Sequence, residues 1–142
     1  MADSRQTTGV RCVVVTPEAT VLDTQARFVA VPLYDGERGV GRGHAAFIGR
    51  LGAGEVRIVG EQGKGEATTR TFVEGGFVEV GHDVVTVITQ RAIPASAIDA
   101  AAARADLERV NAEKAVGAEA IAAKMAAQQA ARAVVRTVTR GR

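Results

Sequence analysis

The residues that could do chemistry are concentrated in one glycine-rich segment, 35–48. It contains the carboxylates Asp35 and Glu37 and one of the two histidines, His44. A carboxylate pair can act as general acid and base, and a histidine can transfer a proton. Glycine at every second or third position, however, is typical of an exposed turn that makes close contacts. We therefore predict a docking or ligand-binding loop, and the alternative is a hairpin connection whose glycines serve turns and bulges.

Metal and disulfide chemistry have few candidate residues. His44 and His82 lie in separate predicted turns without a His-x-x-x-His spacing, so we expect no zinc site. The single cysteine, Cys12, lies in an apolar run. This excludes an intrachain disulfide and predicts a buried thiol.

Two glycine-rich segments approach nucleotide-binding motifs without matching them. The run from Gly39 to Gly43 lacks the third glycine of the dinucleotide fingerprint and opens no predicted helix. The segment 60–65 places Lys64 between two glycines, but it lacks the spacing and the Ser or Thr of a P-loop. We therefore expect no cofactor and no catalysis by this chain alone.

Composition narrows the class of protein. The chain has 142 residues, of which 46% are hydrophobic and 4% aromatic, and a formal net charge of +2. The hydrophobic fraction suffices for a folded core. The balanced charge and the few aromatic residues argue against nucleic-acid binding. No signal core and no run of ~18 to 20 apolar residues is present, so we expect a soluble chain in a reducing compartment, without direct membrane insertion.

The chain before Pro94 shows the pattern of an antiparallel β-sandwich. Short β-branched or alternating segments are separated by turn residues. The predicted strands cover residues 11–16, 20–23, 25–33, 45–51, 55–59, 68–73, 77–80 and 84–88. Turns are predicted at 60–65 and 81–83. Gly75-Gly76 interrupts one strand and predicts a bulge or a close approach of two backbones.

Alternation within the strands predicts which side chains face the core. The expected core residues are Val56, Ile58, Phe77 and Val80. Arg57 and Glu79 are expected to face water, because side chains alternate between the two faces of a strand.

After Pro94 the chain becomes rich in alanine and reads as two helices. Ser96, with the acid Asp99 three residues later, predicts an N-cap. The first helix is expected from residue 97 to about 116 and the second from 119 to about 139, folded back as an antiparallel pair. The residues expected to pack at helical spacing are Ile98, Ala102, Ala105, Val110, Ala112 or Val116, Ile121, Met125, Gln128, Val135 and Val138.

An interface made mostly of alanine buries little area per residue. We therefore predict a detachable hairpin, with a β-sandwich domain over residues 1–93 and a helical domain over 94–142.

Several motifs occur together in a distinctive order. They are Gly36-Glu37-Arg38-Gly39, Gly43-His44-Ala45, the segment 72–80 with Gly75-Gly76, and the segment 84–88, followed by the alanine-rich helices. Over nearly the whole chain this order resembles the epsilon subunit of bacterial and chloroplast F-type ATP synthases. The resemblance implies a sandwich of about ten strands with a C-terminal two-helix hairpin, placed in the central rotor stalk.

The resemblance also implies partners and a location. The sandwich would bind the gamma subunit and sit on the ring of c subunits, on the cytoplasmic face of the bacterial inner membrane, as a peripheral protein. Glu37 resembles the family position that faces the polar loops of the c ring, and His44 belongs to a motif on the same side. Arg38 and Arg42 extend this expected c-ring-facing loop, while Gly75 and Gly76 form the sandwich motif.

The chain departs from the family pattern at two places. Gly41, Arg42 and Ala46 stand where the family has bulky apolar or proline residues, which predicts a looser and more basic loop. Some relatives bind ATP through an Asp-x-x-Arg-Ala motif. Here Asp99 keeps the acid, but Ala102 replaces the arginine, so we expect no nucleotide site there; the alternative is that the nearby Arg104 substitutes for it.

The last helix carries a basic stripe. Arg132, Arg136 and Arg140 are spaced by four residues and so share one helix face. Favourable interaction with the helix dipole is one explanation. The resemblance implies another, in which these residues contact the catalytic beta subunits and inhibit ATP hydrolysis.

The combined reading is a non-catalytic rotor subunit of an F-type ATP synthase. It would couple gamma-subunit rotation to the c ring during proton-driven ATP synthesis. The alternative is a stand-alone β-sandwich adaptor with a helical protein-interaction hairpin.

Overall fold

The computed structural model describes residues 9–60 and 68–140. Most of the predicted turn at 60–65, including Lys64, lies outside these residues. The strands are β1 (Val10–Val15), β2 (Thr20–Ala26), β3 (Phe28–Leu33), β4 (Gly36–Val40), β5 (Phe47–Arg50), β6 (Ala53–Val59), β7 (Thr68–Glu74), β8 (Phe77–Gly81), β9 (Val84–Ile88) and β10 (Ala92–Pro94). A 3₁₀ turn (Ala95–Ala97) and the helices α1 (Ala100–Ala112) and α2 (Ala118–Arg140) follow.

The ten strands form two five-stranded sheets, which confirms the predicted sandwich. The first sheet has the order β2-β1-β9-β8-β5 and the second has the order β10-β7-β6-β3-β4. One pair departs from the antiparallel expectation: β1 and β9 are parallel, with Arg11 opposite Val84 and Val15 opposite Ile88. The sequence could not show this, because nothing local determines that the first strand lies between its own hairpin partner and a strand from the far end of the domain.

The core lies between the sheets and is built largely from valine. Val56, Ile58 and Val80 are buried, as predicted. Phe77 is 56% exposed, and that prediction is wrong. Phe77 and Val80 are three positions apart, and an odd offset places two side chains on opposite faces of a strand, so they cannot share one face of β8. Val78 is the residue that joins Val80 in the core.

Part of the glycine-rich segment 35–48 is a strand and not a loop. Residues 36–40 form β4, which pairs with β3 at the edge of the second sheet. The loop that remains covers only residues 41–46. These residues form a strand despite their glycines because β3 pairs with each of them in an antiparallel register from Val29 to Leu33.

The first helix begins later and ends earlier than predicted. Its N-cap is Asp99, whose Oδ1 accepts hydrogen bonds from the N–H groups of Ala101 (3.0 Å) and Ala102 (3.3 Å). Ser96 is not the cap, because it lies within the 3₁₀ turn and Ile98 after it is extended. The helix stops at Ala112, and the segment before α2 is irregular.

The two helices pack together, but with an offset that leaves part of α2 uncovered. The amide of Gln128 donates to Oδ1 of Asn111 at 2.9 Å, near the end of α1. The first turns of α2 therefore extend beyond α1. As a result Ile121 and Met125, both expected in the interface, are 48% and 55% exposed.

The hairpin docks on the second sheet through the other half of α2. Ala130 and Ala133 pack against Phe72 of β7, which is fully buried, with Ile93 and Ile98 beside them. This cluster is separate from the valine core between the sheets. Small alanine side chains allow the helix to lie close to the sheet while burying little area per residue.

Candidate interaction surfaces

Glu37 lies on the face of β4 that points toward the helices. Its Oε1 accepts a hydrogen bond from Nη2 of Arg57 at 3.3 Å, in an ion pair. Arg57 was expected to face water, and it is partly covered instead. Glu37 also lines a small cavity that reaches the end of α2.

Arg38 points to the opposite face of the same strand. Side chains alternate along β4, and Val40, two residues later, is buried in the core. The Arg38 guanidinium lies 4.9 Å from the ring centroid of Phe47 on β5. Arg38 therefore covers the gap between the edge strands of the two sheets, where a cation over a ring is favourable.

His44 meets Arg38 at the same aromatic ring. The His44 and Phe47 ring centroids are 5.3 Å apart. Nδ1 of His44 lies 2.7 Å from the carbonyl oxygen of Ala45, which it reaches as a donor in the tautomer protonated on Nδ1. The structure thus brings Arg38 and His44 together, although only through Phe47.

The loop before His44 is fixed by the neighbouring β8–β9 turn. The Gly43 N–H donates to Oδ1 of Asp83 at 2.7 Å, and the Arg11 N–H donates to the Asp83 carbonyl oxygen at 2.9 Å. His82 and Asp83 both have positive φ, 52° and 59°, as a two-residue type I′ turn requires. Asp83 therefore connects three segments, a role that its place in a predicted turn did not indicate.

Glu37 does not join this cluster. It lies near the start of β4, whereas the loop follows the end of the strand, and at ~3.4 Å per residue about 10 Å of strand separates them. Arg42 is exposed on the loop. The four residues predicted to face a common partner therefore occupy two places on the sandwich.

The glycine pair lies where two backbones nearly touch. Gly75 and Gly76 have φ of 68° and 102°. A Cβ on Gly76 would lie 1.9 Å from the Ile88 carbonyl oxygen. At Gly75 the same Cβ would meet no atom within 4 Å. The pair is a structural feature of the β7–β8 connection.

The basic stripe of α2 faces the sandwich. Nη1 of Arg140 lies 3.4 Å from Oε1 of Glu55 on β6, and the same oxygen accepts a 2.7 Å bond from Nη1 of Arg70 on β7. The Glu55 side chain is only 7% exposed. Glu55 was not predicted as a site residue, because strand alternation places it on a face that only the docked helix covers.

The other end of the stripe borders a cleft of about 1090 Å³ between the hairpin and the sandwich. Its charged lining residues are Arg50, Arg91, Arg109, Arg132, Arg136, Glu74 and Asp106. A hydrogen bond and the charge of Asp106 raise the pKa of Arg109. Nη2 of Arg91 contacts Oε1 of Glu74 at 3.0 Å. Asp99 lies outside the lining and serves as the helix cap.

Cys12 is fully buried in the core, as predicted. Burial raises the pKa of its thiol to about 12, with a smaller contribution from the Asp23 charge. The thiol is therefore protonated and unreactive at neutral pH. Within residues 9–60 and 68–140, no helix has the length and apolarity that crossing a membrane requires.

These features define the chain as a two-sheet β-sandwich protein with a docked C-terminal helical hairpin. Residues 9–95 match the family described as ATP synthase, Delta/Epsilon chain, beta-sandwich domain. The chain therefore belongs to the ATP synthase delta/epsilon chain family, as the sequence motifs predicted.

Two curated relatives are ATP synthase epsilon chains. The chain is 56% identical to that of Rhodopirellula baltica over 85 residues, which cover 60% of this chain and 63% of the relative. It is 39% identical to that of Polynucleobacter necessarius subsp. necessarius over 84 residues, 59% of each chain. Each match thus spans less than two thirds of the relative's length.

Two solved structures share the fold over most of the chain. A chain of the Euglena gracilis mitochondrial ATP synthase, in a structure described as OSCP/F1/c-ring, superposes with a TM-score of 0.79 at 19% identity, covering 94% of this chain and 84% of that one. A chain of the Tetrahymena thermophila mitochondrial ATP synthase, described as central stalk/c-ring, gives 0.67 at 14% identity, covering 91% and 96%. Both likenesses concern the fold, which here includes the helices as well as the sandwich.

Proposed function

We propose that this chain is a non-catalytic central-stalk subunit of an F-type ATP synthase. The observation that carries the proposal is the family match over residues 9–95, combined with a fold that superposes over 94% of the chain on a subunit of an ATP synthase structure. In this role the chain transmits rotation between the gamma subunit and the c ring during proton-driven ATP synthesis. It is a peripheral protein of the cytoplasmic face of the bacterial inner membrane.

Two surfaces of the sandwich are candidates for the c-ring contact. One is Glu37 with its partner Arg57, and the other is the loop that carries Arg42 and His44. Both are at or near the surface, and the second is held in place by Asp83. We assign the c-ring contact to Glu37 and the loop, and the gamma contact to the remaining sandwich surface.

The Glu37 assignment is tested by charge reversal. Glu37→Lys is expected to lower the ratio of ATP synthesised to protons translocated in inverted membrane vesicles, while binding to gamma is retained. The physical reason is that an exposed carboxylate is replaced by a cation both at the contact and opposite Arg57.

The matched control is Glu18→Lys, which makes the same charge change in the exposed β1–β2 turn. An unchanged coupling ratio in Glu37→Lys vesicles, or an equal loss in the control, would remove Glu37 from the assignment. Loss of gamma binding in both variants would instead indicate a general effect of the added charge.

We further propose that the hairpin inhibits ATP hydrolysis through Arg132, Arg136 and Arg140, in contact with an acidic surface of the beta subunits. The support is the placement of the three arginines on one face of α2, with Arg132 and Arg136 exposed. No nucleotide is assigned to the hairpin, because Ala102 stands where the nucleotide motif has arginine.

A further inference from the structure

The end of α2 rests over a buried carboxylate. Glu55 lies on β6 with a side chain 7% exposed, and the Arg70 and Arg140 guanidinium groups both approach its Oε1. Its Oε2 is buried and has no hydrogen-bond partner among residues 9–60 and 68–140. A buried carboxylate is costly unless it is paired, so Glu55 needs the cations around it.

Glu37 and Glu55 also reduce charge repulsion between the strands beneath the helix. Arg57 and Arg70 are direct cross-strand partners on β6 and β7, where like charges repel. Glu37 pairs with Arg57 and Glu55 pairs with Arg70, so each arginine has an acid. Because Arg70 already contacts Glu55, Arg140 is the second cation on this carboxylate and the only one of the two that comes from the helix.

A small cavity connects the acids to the helix. Its volume is about 170 Å³, and it is bordered by Glu37 and Glu55 on one side and by Arg136, Thr137 and Arg140 on the other. The Thr137 hydroxyl donates to the Ala133 carbonyl oxygen at 2.8 Å, so it does not serve Glu55. The cations of α2 that border this cavity are Arg136 and Arg140.

We propose that Glu55 is an intramolecular receptor for Arg140, the last residue of the basic stripe, and forms with it an ionic latch that holds the hairpin on the sandwich. Ala130 and Ala133 of α2 pack on Phe72, and the charged contact adds to this docking at the end of the helix. Arg140 has a side chain 55% exposed, so solvent and salt reach the latch and weaken it.

The latch has a regulatory consequence, which rests on the proposed function. Arg140 cannot contact Glu55 and an acidic surface of a partner at once. Glu55 therefore competes with that partner for Arg140, and weakening the latch favours the released hairpin.

Hydrogen exchange of the isolated full-length chain tests the latch without any partner. Arg140→Ala is expected to speed amide exchange in residues 131–140 by about two- to fivefold, as a partly exposed ion pair allows. Glu55→Gln, which keeps the side-chain shape, is expected to have a similar effect. The double variant should exchange no faster than the faster single variant.

The matched control is Arg132→Ala, which removes the same charge from the same helix two turns earlier. Exchange in the control, and in β9 of all variants, should stay within error of the parent. The latch is refuted if Arg140→Ala leaves exchange at 131–140 unchanged, or if the control speeds it equally. These outcomes concern docking in the isolated chain. They neither support nor contradict the subunit assignment, which has its own tests.

Discussion

At the scale of single residues, one glycine illustrates how the sandwich is constrained. Gly76 combines a positive φ of 102° with a backbone approach in which a Cβ would lie 1.9 Å from the Ile88 carbonyl oxygen. Its neighbour Gly75 has a positive φ but open space around it. A Cβ at Gly75 would therefore cause backbone strain alone, whereas a Cβ at Gly76 would cause both strain and steric overlap.

Gly76→Ala is expected to destabilise the chain by about 3 kcal/mol or more, because strain and overlap add. Gly75→Ala, the matched control, should cost about 1 to 2 kcal/mol from the left-handed conformation alone. Urea unfolding followed by circular dichroism measures both. Equal losses in the two variants would contradict the role given to the contact with Ile88.

A second residue-scale prediction concerns Cys12. Its thiol pKa rises from 9.0 to about 12 on burial. Below pH 9 both states hold the proton, so the full stability is present there. Above pH 9 the unfolded state ionises first, so stability is lost as pH rises toward 12. At pH 10.5 the loss should be about 2 kcal/mol relative to pH 8.

The comparison chain for this measurement is Cys12→Ala, which retains every other titrating group. Its free energy of unfolding should fall less between pH 8 and pH 10.5 than that of the parent. The parent thiol should also resist a thiol reagent at pH 8 until denaturant is added. Identical pH dependence in the two chains would show that burial does not shift the Cys12 pKa.

At the scale of elements, the sequence predicted most strands because alternation is a local signal. Val56 and Ile58 faced the core as expected. The parallel β1–β9 pairing was not predictable, because it depends on contacts between distant strands. Residues 36–40 were expected to be a loop because glycine weakens a strand signal, yet pairing with β3 makes them a strand.

For the helices, residue periodicity was insufficient to predict where they begin and which side chains lie between them. Ser96 had the right chemistry for an N-cap, but the 3₁₀ turn moves the start of α1 to Asp99. Ile121 and Met125 had the right spacing for an interface, but their end of α2 extends beyond α1. Glu55 could be recognised as a site only after the helix was seen to cover β6.

The hairpin is proposed to be a separable unit. The predicted boundary after Ile93 cuts β10, which continues to Pro94 and pairs with Thr71. A fragment ending at Ile98 keeps β10 and the 3₁₀ turn, and we expect it to fold with its valine core intact and to bind gamma.

Removal of the helices uncovers Phe72, so this fragment should be less stable than the full chain. Its unfolding in urea and its retention on immobilised gamma are the measurements. A fragment that is unfolded, or folded but without affinity for gamma, would show that the hairpin and the sandwich are one unit.

The basic stripe is tested by removing its charges. Alanine at Arg132, Arg136 and Arg140 together should relieve inhibition of ATP hydrolysis by the reconstituted complex, and single replacements should relieve it stepwise. Exposed pairs contribute roughly 0 to 1 kcal/mol each, so inhibition should also weaken at high salt. If the triple variant inhibits as strongly as the parent at low salt, the stripe has no part in inhibition.

At the scale of the whole molecule, the two sheets leave different surfaces for partners. The hairpin covers the outer face of the second sheet through α2. The outer face of the first sheet bears Phe77 and Ile88, which are 56% and 51% exposed and lie opposite each other on β8 and β9. The outer face of the second sheet is therefore covered by the chain's own hairpin, and the outer face of the first sheet is available to a neighbouring subunit.

We propose above that this chain is part of the rotor of an ATP synthase, and its partners in the cell decide the proposal. The most direct measurement is purification of the tagged full-length chain from detergent-solubilised membranes of its source cell, with the co-purified proteins quantified by mass spectrometry. We expect gamma in an amount close to that of the tagged chain, together with c subunits. Recovery of the tagged chain without gamma and c, from an extract in which the assembled synthase is intact, would contradict it.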